Sequence, residues 1–188
     1  MNTQHRRAMH RHRMTLLRRL RLRQVKEEKD GECCAHALAR AVLNDPRLGY
    51  VVRRRVVEHL RRNRATYEFF LESDPTFFDG SPNPESQGSY EEYLSNMAKS
   101  TTFFDYMAIC AATEVFDLTL TILGGAPFGD TVIGEGRRAV TILYNGYNHY
   151  DSVEPLPLRR SERLRLKRQR EHAHDTQDKM DARRRRYC

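Results

Sequence analysis

Apolar residues recur at the spacing of a helix that buries one face in four segments of the chain. The first, from Cys34 to Leu43, holds small and apolar residues and predicts a buried helix that a following Asn-Asp-Pro turn stops. Residues 48–64 place arginines between valines and predict an amphipathic helix with a basic outer face. Two further helices are predicted over residues 89–99, which open on a Ser-x-x-Glu capping box, and 105–116.

Strand patterns lie mainly in the second half of the chain. Residues 118–123 alternate leucine or isoleucine with threonine, which is the period of a strand. A shorter extended segment is predicted from Leu20 to Val25, and the glycine-rich residues 124–136 are predicted to be a loop, as are residues 79–87.

The strongest local signal is a hairpin. Residues 139–144 and 147–153 both read as strands, and the dipeptide Asn-Gly separates them. A two-residue loop fixes the register of the strands it joins. The predicted register pairs Ile142 with His149 and Val140 with Asp151.

Helices followed by strands predict an α+β domain with a small central sheet that ends in a C-terminal hairpin and is flanked by helices. Charge divides the 188 residues into three parts. Residues 1–29 carry 10 Lys and Arg against 2 Asp and Glu, residues 158–188 carry 12 against 5, and the part between carries 11 against 18. We therefore predict a basic N-terminal extension (1–19), a domain (20–157) and a basic C-terminal tail (158–188).

Composition excludes several classes of protein. No run approaches the roughly 20 apolar residues that span a bilayer, and no apolar segment follows the basic N-terminus as it would in a signal peptide. The four cysteines are Cys33, Cys34, Cys110 and Cys188, and this spacing does not resemble a secreted disulfide framework. We expect an intracellular protein of the cytoplasm, the nucleus or both.

The segment Asp30-Gly31-Glu32-Cys33 leads directly into the first predicted helix. Unpaired backbone N–H groups and the helix dipole at this end favour the thiolate form of Cys33. Gly31 permits the close approach that lets backbone amides converge on an oxyanion. The segment indicates either a nucleophile or a buried cysteine at the start of a core helix.

His149 and Asp151 lie two residues apart in the second hairpin strand, so their side chains project to the same face. Asp151 can accept a hydrogen bond from one imidazole nitrogen and leave the other free to take a proton from a thiol. The alternative to a catalytic pair is a half-buried histidine whose hydrogen-bonding needs are met by a neighbouring carboxylate. Asp30 is an alternative third member of such a triad.

Together these two segments resemble the OTU (ovarian tumour) family of cysteine proteases, which are deubiquitinases. Residues 30–38 (DGECCAHAL) are similar to the nucleophile block of that family, and residues 144–153 (YNGYNHYDSV) are similar to its histidine block. The resemblance covers about Leu20 to Val153. It implies an OTU-type fold, with Cys33 as nucleophile, His149 as general base, Asp151 as its orienting residue and Asp30 as the residue that shapes the oxyanion loop.

The nucleophile block departs from the family pattern at Glu32, where the family usually has asparagine. A carboxylate beside Cys33 opposes thiolate formation by like-charge repulsion. Two aromatic residues, Phe103 and Phe104, also stand where the family usually has an aromatic residue and glycine. Zinc is not indicated, since Cys33, Cys34, His36 and His149 lack the spacing of structural zinc sites, and we expect no cofactor.

The resemblance implies a deubiquitinase that acts on proteins conjugated to ubiquitin or a ubiquitin-like modifier. One alternative is a catalytically weak or inactive OTU-like module that binds ubiquitin. The other is a nucleic-acid-binding protein that uses its basic tails, in which clusters such as Arg183–Arg186 can neutralise phosphates weakly and without base readout.

Overall fold

The computed structural model describes residues 3–72, 88–124, 129–145 and 149–157, and the separate positions 164, 165, 167, 169 and 180. Within them the helices are α1 (Thr3–Arg19), α2 (Cys33–Leu43), α3 (Gly49–Arg62), α4 (Arg64–Glu72), α5 (Tyr90–Met97) and α6 (Tyr106–Phe116), with a 3₁₀ turn at Pro46–Leu48. The strands are β1 (Leu22–Val25), β2 (Leu118–Leu123), β3 (Asp130–Ile133), β4 (Arg138–Tyr144) and β5 (Tyr150–Pro155). The predicted α+β class is confirmed.

The five strands form one sheet in the order β1-β5-β4-β2-β3. Strands β2 and β4 are parallel, whereas β2–β3 and β4–β5 are antiparallel. The first strand in sequence therefore lies beside the last one. This adjacency brings the segment before α2 next to the strand that carries Asp151.

The helices predicted from periodicity are confirmed as α2, α3, α5 and α6. The capping box at α5 is reciprocal, since the Ser89 hydroxyl accepts from the N–H of Glu92 and the Glu92 carboxylate accepts from the N–H of Ser89. At α6 the Asp105 side chain accepts from the N–H of Ala108 at 2.8 Å. These side chains satisfy backbone donors that would otherwise lack partners at a helix start.

The predicted hairpin register is wrong. Leu143 pairs with Asp151 and Tyr144 with Tyr150, so the strands pair three residues away from the register of a two-residue loop. The cause lies at Asn145, whose N–H donates to the carbonyl of His149 (2.9 Å) while its side chain accepts from the N–H of His149 (3.2 Å). These two bonds join the ends of a connection that is longer than two residues, and His149 lies just before β5.

The prediction of a loop over residues 124–136 is wrong in part, because β3 lies within it and pairs with β2. It is an edge strand, with Val132 62% exposed and Ile133 buried. Its sequence is short and flanked by glycines, so periodicity gave no signal. Helix α4 was not predicted either, and the predicted loop at residues 79–87 lies outside the described residues.

The main hydrophobic core lies on one face of the sheet, where α2 packs on β4 and α6 on β2, while α3 packs against both helices and α5 against α3. A smaller cluster lies on the other face and is supplied partly by α1, whose Leu16 and Leu17 are buried with Leu123 and Leu143. Arg13, also on α1, donates a hydrogen bond to the carbonyl of Tyr144 at 3.3 Å. The segment predicted as a separate N-terminal extension thus contributes to the core of a compact unit that runs from Met1 to Glu154.

Replacing Leu17 with alanine is expected to lower the free energy of unfolding by about 2–4 kcal/mol, because the side chain is 1% exposed and its removal leaves a cavity. Leu20, which is 45% exposed, is the matched control, and Leu20→Ala is expected to change stability by under about 1 kcal/mol. Urea unfolding of both variants makes the comparison. Equally small losses of unfolding free energy in both variants would show that α1 does not contribute to the core, as the predicted boundary at residue 19 implies.

A second unit comprises residues 155–188. Of its described residues, positions 164, 165, 167, 169 and 180 are helical, and Leu164 and Met180 are exposed. Binding of nucleic acid by the basic tails stays a prediction. In the described ranges, no helix combines the length and the apolar character needed to cross a membrane.

Candidate active site

Cys33 is the first residue of α2 and is fully buried. The loop before it is held by Asp30, whose side chain accepts from the N–H of Glu32 at 2.9 Å and whose carbonyl accepts from the N–H of Cys33 at 3.4 Å. Gly31 passes so close to Thr101 that a Cβ atom would come within 2.2 Å of its carbonyl carbon. Asp30 therefore lies in the loop that leads to the cysteine, where its side chain bonds the backbone of that loop.

His149 and Asp151 form a buried pair, with Nε2 of the imidazole 2.9 Å from Oδ1 of the carboxylate. Asp151 also accepts hydrogen bonds from the side chain of Gln24 (2.5 Å) and the backbone N–H of Glu27 (3.0 Å). Burial by itself raises the pKa of Asp151, but the bonds from His149, Glu27 and Gln24 outweigh it and hold the pKa below its usual value. Asp151 is thus a carboxylate at neutral pH.

The pKa of His149 is raised to about 9, first by the hydrogen bond to Asp151 and then by a hydrogen bond with the thiol of Cys33, while burial opposes both. Because Asp151 occupies Nε2, Nδ1 is the ring nitrogen that remains for Cys33, and it is buried without a hydrogen bond of ordinary length among the described residues. The structure brings Cys33, His149 and Asp151 together. The imidazole is cationic at neutral pH and lies beside the thiol.

The carboxylate of Glu32 does not stand unpaired beside the cysteine. It accepts from Nε of Arg53 at 2.8 Å and lies 3.5 Å from Nε2 of His36. Arg53 is 21 residues away in sequence, so the spacing around the cysteine could not indicate it. The positive guanidinium offsets the repulsion that the sequence predicts between Glu32 and a thiolate at Cys33.

Sequence reasoning missed two residues of the site, Gln24 and Glu27, which belong to β1 and the segment after it. The carboxylate of Glu27 is itself held by Arg40 (2.7 Å) and by the hydroxyl of Ser152 (2.5 Å). This ion pair fixes the backbone whose N–H bonds Asp151. No local motif marks these residues, because their partner Asp151 lies 124 and 127 residues away.

The other cysteines have packing positions. Cys34 is 1% exposed, and burial, together with neighbouring Cys33, raises the pKa of its thiol well above the usual value. Cys110 packs against the main core, and burial raises its pKa as well. Cys188 lies outside the described residues. In the part of the chain that the structure describes, no three His, Cys, Asp or Glu side chains group as metal ligands would.

No family model matches the chain. Among curated proteins, human OTU domain-containing protein 4 is 26% identical over 147 residues, and the mouse protein of the same name is 27% identical over 142. These matches cover 77% and 74% of the chain but only 12% of each relative's length.

Solved structures show the same fold. The OTU domain of OTUD1 matches with a TM-score of 0.66 and 15% identity, over 78% of this chain and 95% of that one. An OTU deubiquitinase of Wolbachia pipientis wMel bound to ubiquitin matches with a TM-score of 0.57 and 10% identity, over 72% and 97%. The Hazara virus OTU bound to ubiquitin matches with a TM-score of 0.52 and 18% identity, over 73% and 83%. The chain therefore has the fold of OTU domains, and about three quarters of its sequence is similar to part of OTU domain-containing protein 4.

Proposed function

We propose that the chain is a cysteine-type isopeptidase that removes ubiquitin or a ubiquitin-like modifier from proteins. The observation that carries the proposal is the meeting of Cys33, at the start of a helix, with the buried His149–Asp151 pair. A thiol beside a cationic imidazole, with a carboxylate behind the ring, is the arrangement of thiol-dependent acyl transfer.

In the proposed reaction the Cys33 thiolate attacks the carbonyl carbon of the isopeptide bond, and the electron pair of the C=O bond moves to oxygen. Collapse of this intermediate breaks the C–N bond, and Nδ1 of His149 gives its proton to the departing lysine amine. Water then attacks the thioester, with His149 taking a proton from it, and the modifier leaves with a free carboxylate as the thiol is restored. Asp151 keeps the ring in one orientation and stabilises its cationic form.

The oxyanion requires backbone N–H donors near the nucleophile. The N–H of Glu32 already donates to the side chain of Asp30 at 2.9 Å, so it is not a candidate donor to the oxyanion. The N–H of Cys33 makes a long bond of 3.4 Å to the carbonyl of Asp30 and stands at the start of α2. We assign the N–H of Cys33 as a donor to the oxyanion, where the helix dipole adds to it.

Ubiquitin is proposed as a partner because the Hazara virus and Wolbachia pipientis OTU structures are bound to it. Their identity to this chain is 10–18%, which supports the fold and leaves the modifier itself to experiment. A ubiquitin-like modifier fits the same proposal.

The test is incubation with ubiquitin that carries a thiol-reactive electrophile at its C-terminus. A covalent adduct of one protein with one ubiquitin is expected, as seen by mass spectrometry, and Cys33→Ala should abolish it. Cys34→Ala is the matched control and should retain the adduct, since Cys34 is an adjacent cysteine that is buried and has a raised pKa. Binding of ubiquitin without an adduct in the unmodified protein would instead support an inactive ubiquitin-binding module.

A further inference from the structure

Arg53 is a charged residue in the buried stripe of an amphipathic helix. Helix α3 buries Val52, Val56 and Leu60 against the core, and Arg53 lies among them with 3% of its surface exposed. A guanidinium is costly to bury unless hydrogen bonds and an opposite charge compensate it. The contacts that compensate the buried charge of Arg53 therefore show which segments the side chain holds together.

The guanidinium joins two segments that are far apart in sequence. Nε donates to the carboxylate of Glu32 at 2.8 Å and Nη2 to the carbonyl of Gly31 at 2.9 Å, both in the loop before Cys33. Nη2 also donates to the carbonyl of Thr102 and Nη1 to that of Met97, each at 2.9 Å. The guanidinium carbon lies 4.8 Å above the ring centroid of Phe104, a cation–π contact.

These bonds act on the peptide group between Gly31 and Glu32, one residue before the cysteine. Arg53 holds the carbonyl of Gly31, while Asp30 accepts from the N–H of Glu32 in the same peptide group. That peptide is thus fixed from both sides. Its orientation sets the direction of the next backbone N–H, that of Cys33.

We propose that Arg53 is a positioning residue for catalysis, which ties the loop before Cys33 to the segment 97–102 and so aims the N–H of Cys33 at the oxyanion. Its kinetic consequence rests on the proposed function. Arg53 touches no substrate in this role and acts through Gly31 and Glu32. The bond to Glu32 has a second effect, since it keeps a negative charge from acting on the thiol.

The two effects can be separated with Glu32. Arg53→Met is expected to lower kcat on a fluorogenic ubiquitin substrate by about 10–100-fold with KM changed less than about 3-fold, because misplacing a catalytic group by about 1 Å costs on the order of 100-fold in rate. Adding Glu32→Gln to Arg53→Met removes the unpaired carboxylate and should leave kcat low.

Arg54→Met is the matched control, because Arg54 is the next residue on α3, is exposed, and makes no hydrogen bond or ion pair within the described ranges. It should leave kcat and KM unchanged. All measurements are made at a temperature where circular dichroism shows each variant fully folded. Recovery of kcat in the Arg53→Met, Glu32→Gln double variant would overturn the proposal, because Arg53 would then only neutralise Glu32.

Arg53→Lys provides the test if the methionine variant does not fold, because it keeps the charge but reaches fewer of the four acceptors. An intermediate loss of kcat is expected, and wild-type kcat would overturn the proposal. If the wild-type protein does not turn over ubiquitin at all, the proposed function fails separately. Hydrogen exchange then decides the positioning role, since faster exchange at the amides of Glu32 and Cys33 in Arg53→Lys than in Arg54→Met supports it and equal exchange overturns it.

Discussion

Replacing Asp151 with alanine is expected to lower kcat by about 10³–10⁴-fold, the loss typical when the orienting carboxylate of a nucleophilic triad is removed. Asp151 bonds Nε2 of His149 at 2.9 Å and is the first cause of the raised pKa of that ring. Without it the imidazole loses both its fixed orientation and the charge that stabilises its cation. Steady-state kinetics on a fluorogenic ubiquitin substrate measure the effect.

The same substitution is expected to lower stability by about 1–3 kcal/mol, because the side chain of Gln24 and the N–H of Glu27 lose a buried acceptor. Asp30→Ala is the comparison. It removes the bond to the N–H of Glu32, so it should loosen the loop and lower stability and rate together. Near-normal turnover in Asp151→Ala, with loss of activity but not of melting temperature in Asp30→Ala, would identify Asp30 as the third catalytic residue.

Replacing His149 with glutamine is expected to reduce turnover by about 10⁴-fold or more, since the variant has no group that carries the proton between thiol and leaving amine. In the wild-type protein, turnover should fall as the pH rises through about 9, where His149 loses its proton. The pH profiles of kcat for both proteins check this. A wild-type profile that stays flat up to pH 10.5 would contradict the assignment.

His149 also makes stability depend on pH. Its pKa is about 9 in the folded protein against about 6.5 in an unfolded chain, so the stabilisation is fully present below pH 6.5 and is lost as the pH rises through 9. Its size is on the order of 3 kcal/mol. Urea unfolding of wild type and His149→Gln at pH 6 and pH 9.5 isolates it, because other titrating groups cancel in the difference. An equal difference in unfolding free energy between the two proteins at both pH values would rule out this contribution of His149.

Local sequence patterns predicted most of the helices and the contact between His149 and Asp151. Helices α2 and α6 are marked by periodicity over 11 residues each, and the spacing of His149 and Asp151 correctly predicts that their side chains meet. Such features depend on neighbours within a few residues. They can be read without knowledge of the remainder of the fold.

The features that sequence did not predict depend on distant partners. The hairpin register follows from Asn145, whose side chain and backbone both bond His149 and override the preference of Asn-Gly for a two-residue loop. The neutralisation of Glu32 depends on Arg53, and the burial of Leu17 depends on a face of the sheet formed more than 100 residues later. A pattern confined to one segment carries no information about these contacts.

The adjacency of β1 and β5 has a consequence for synthesis of the protein. Gln24 emerges 127 residues before its partner Asp151, which at about 5–20 residues per second is a delay on the order of ten seconds. During that interval Cys33 already exists but neither His149 nor Asp151 does, so the nascent chain holds a thiol without its base. The chain therefore completes the proposed catalytic centre only when translation has passed Asp151, after nearly all of the compact unit has been made.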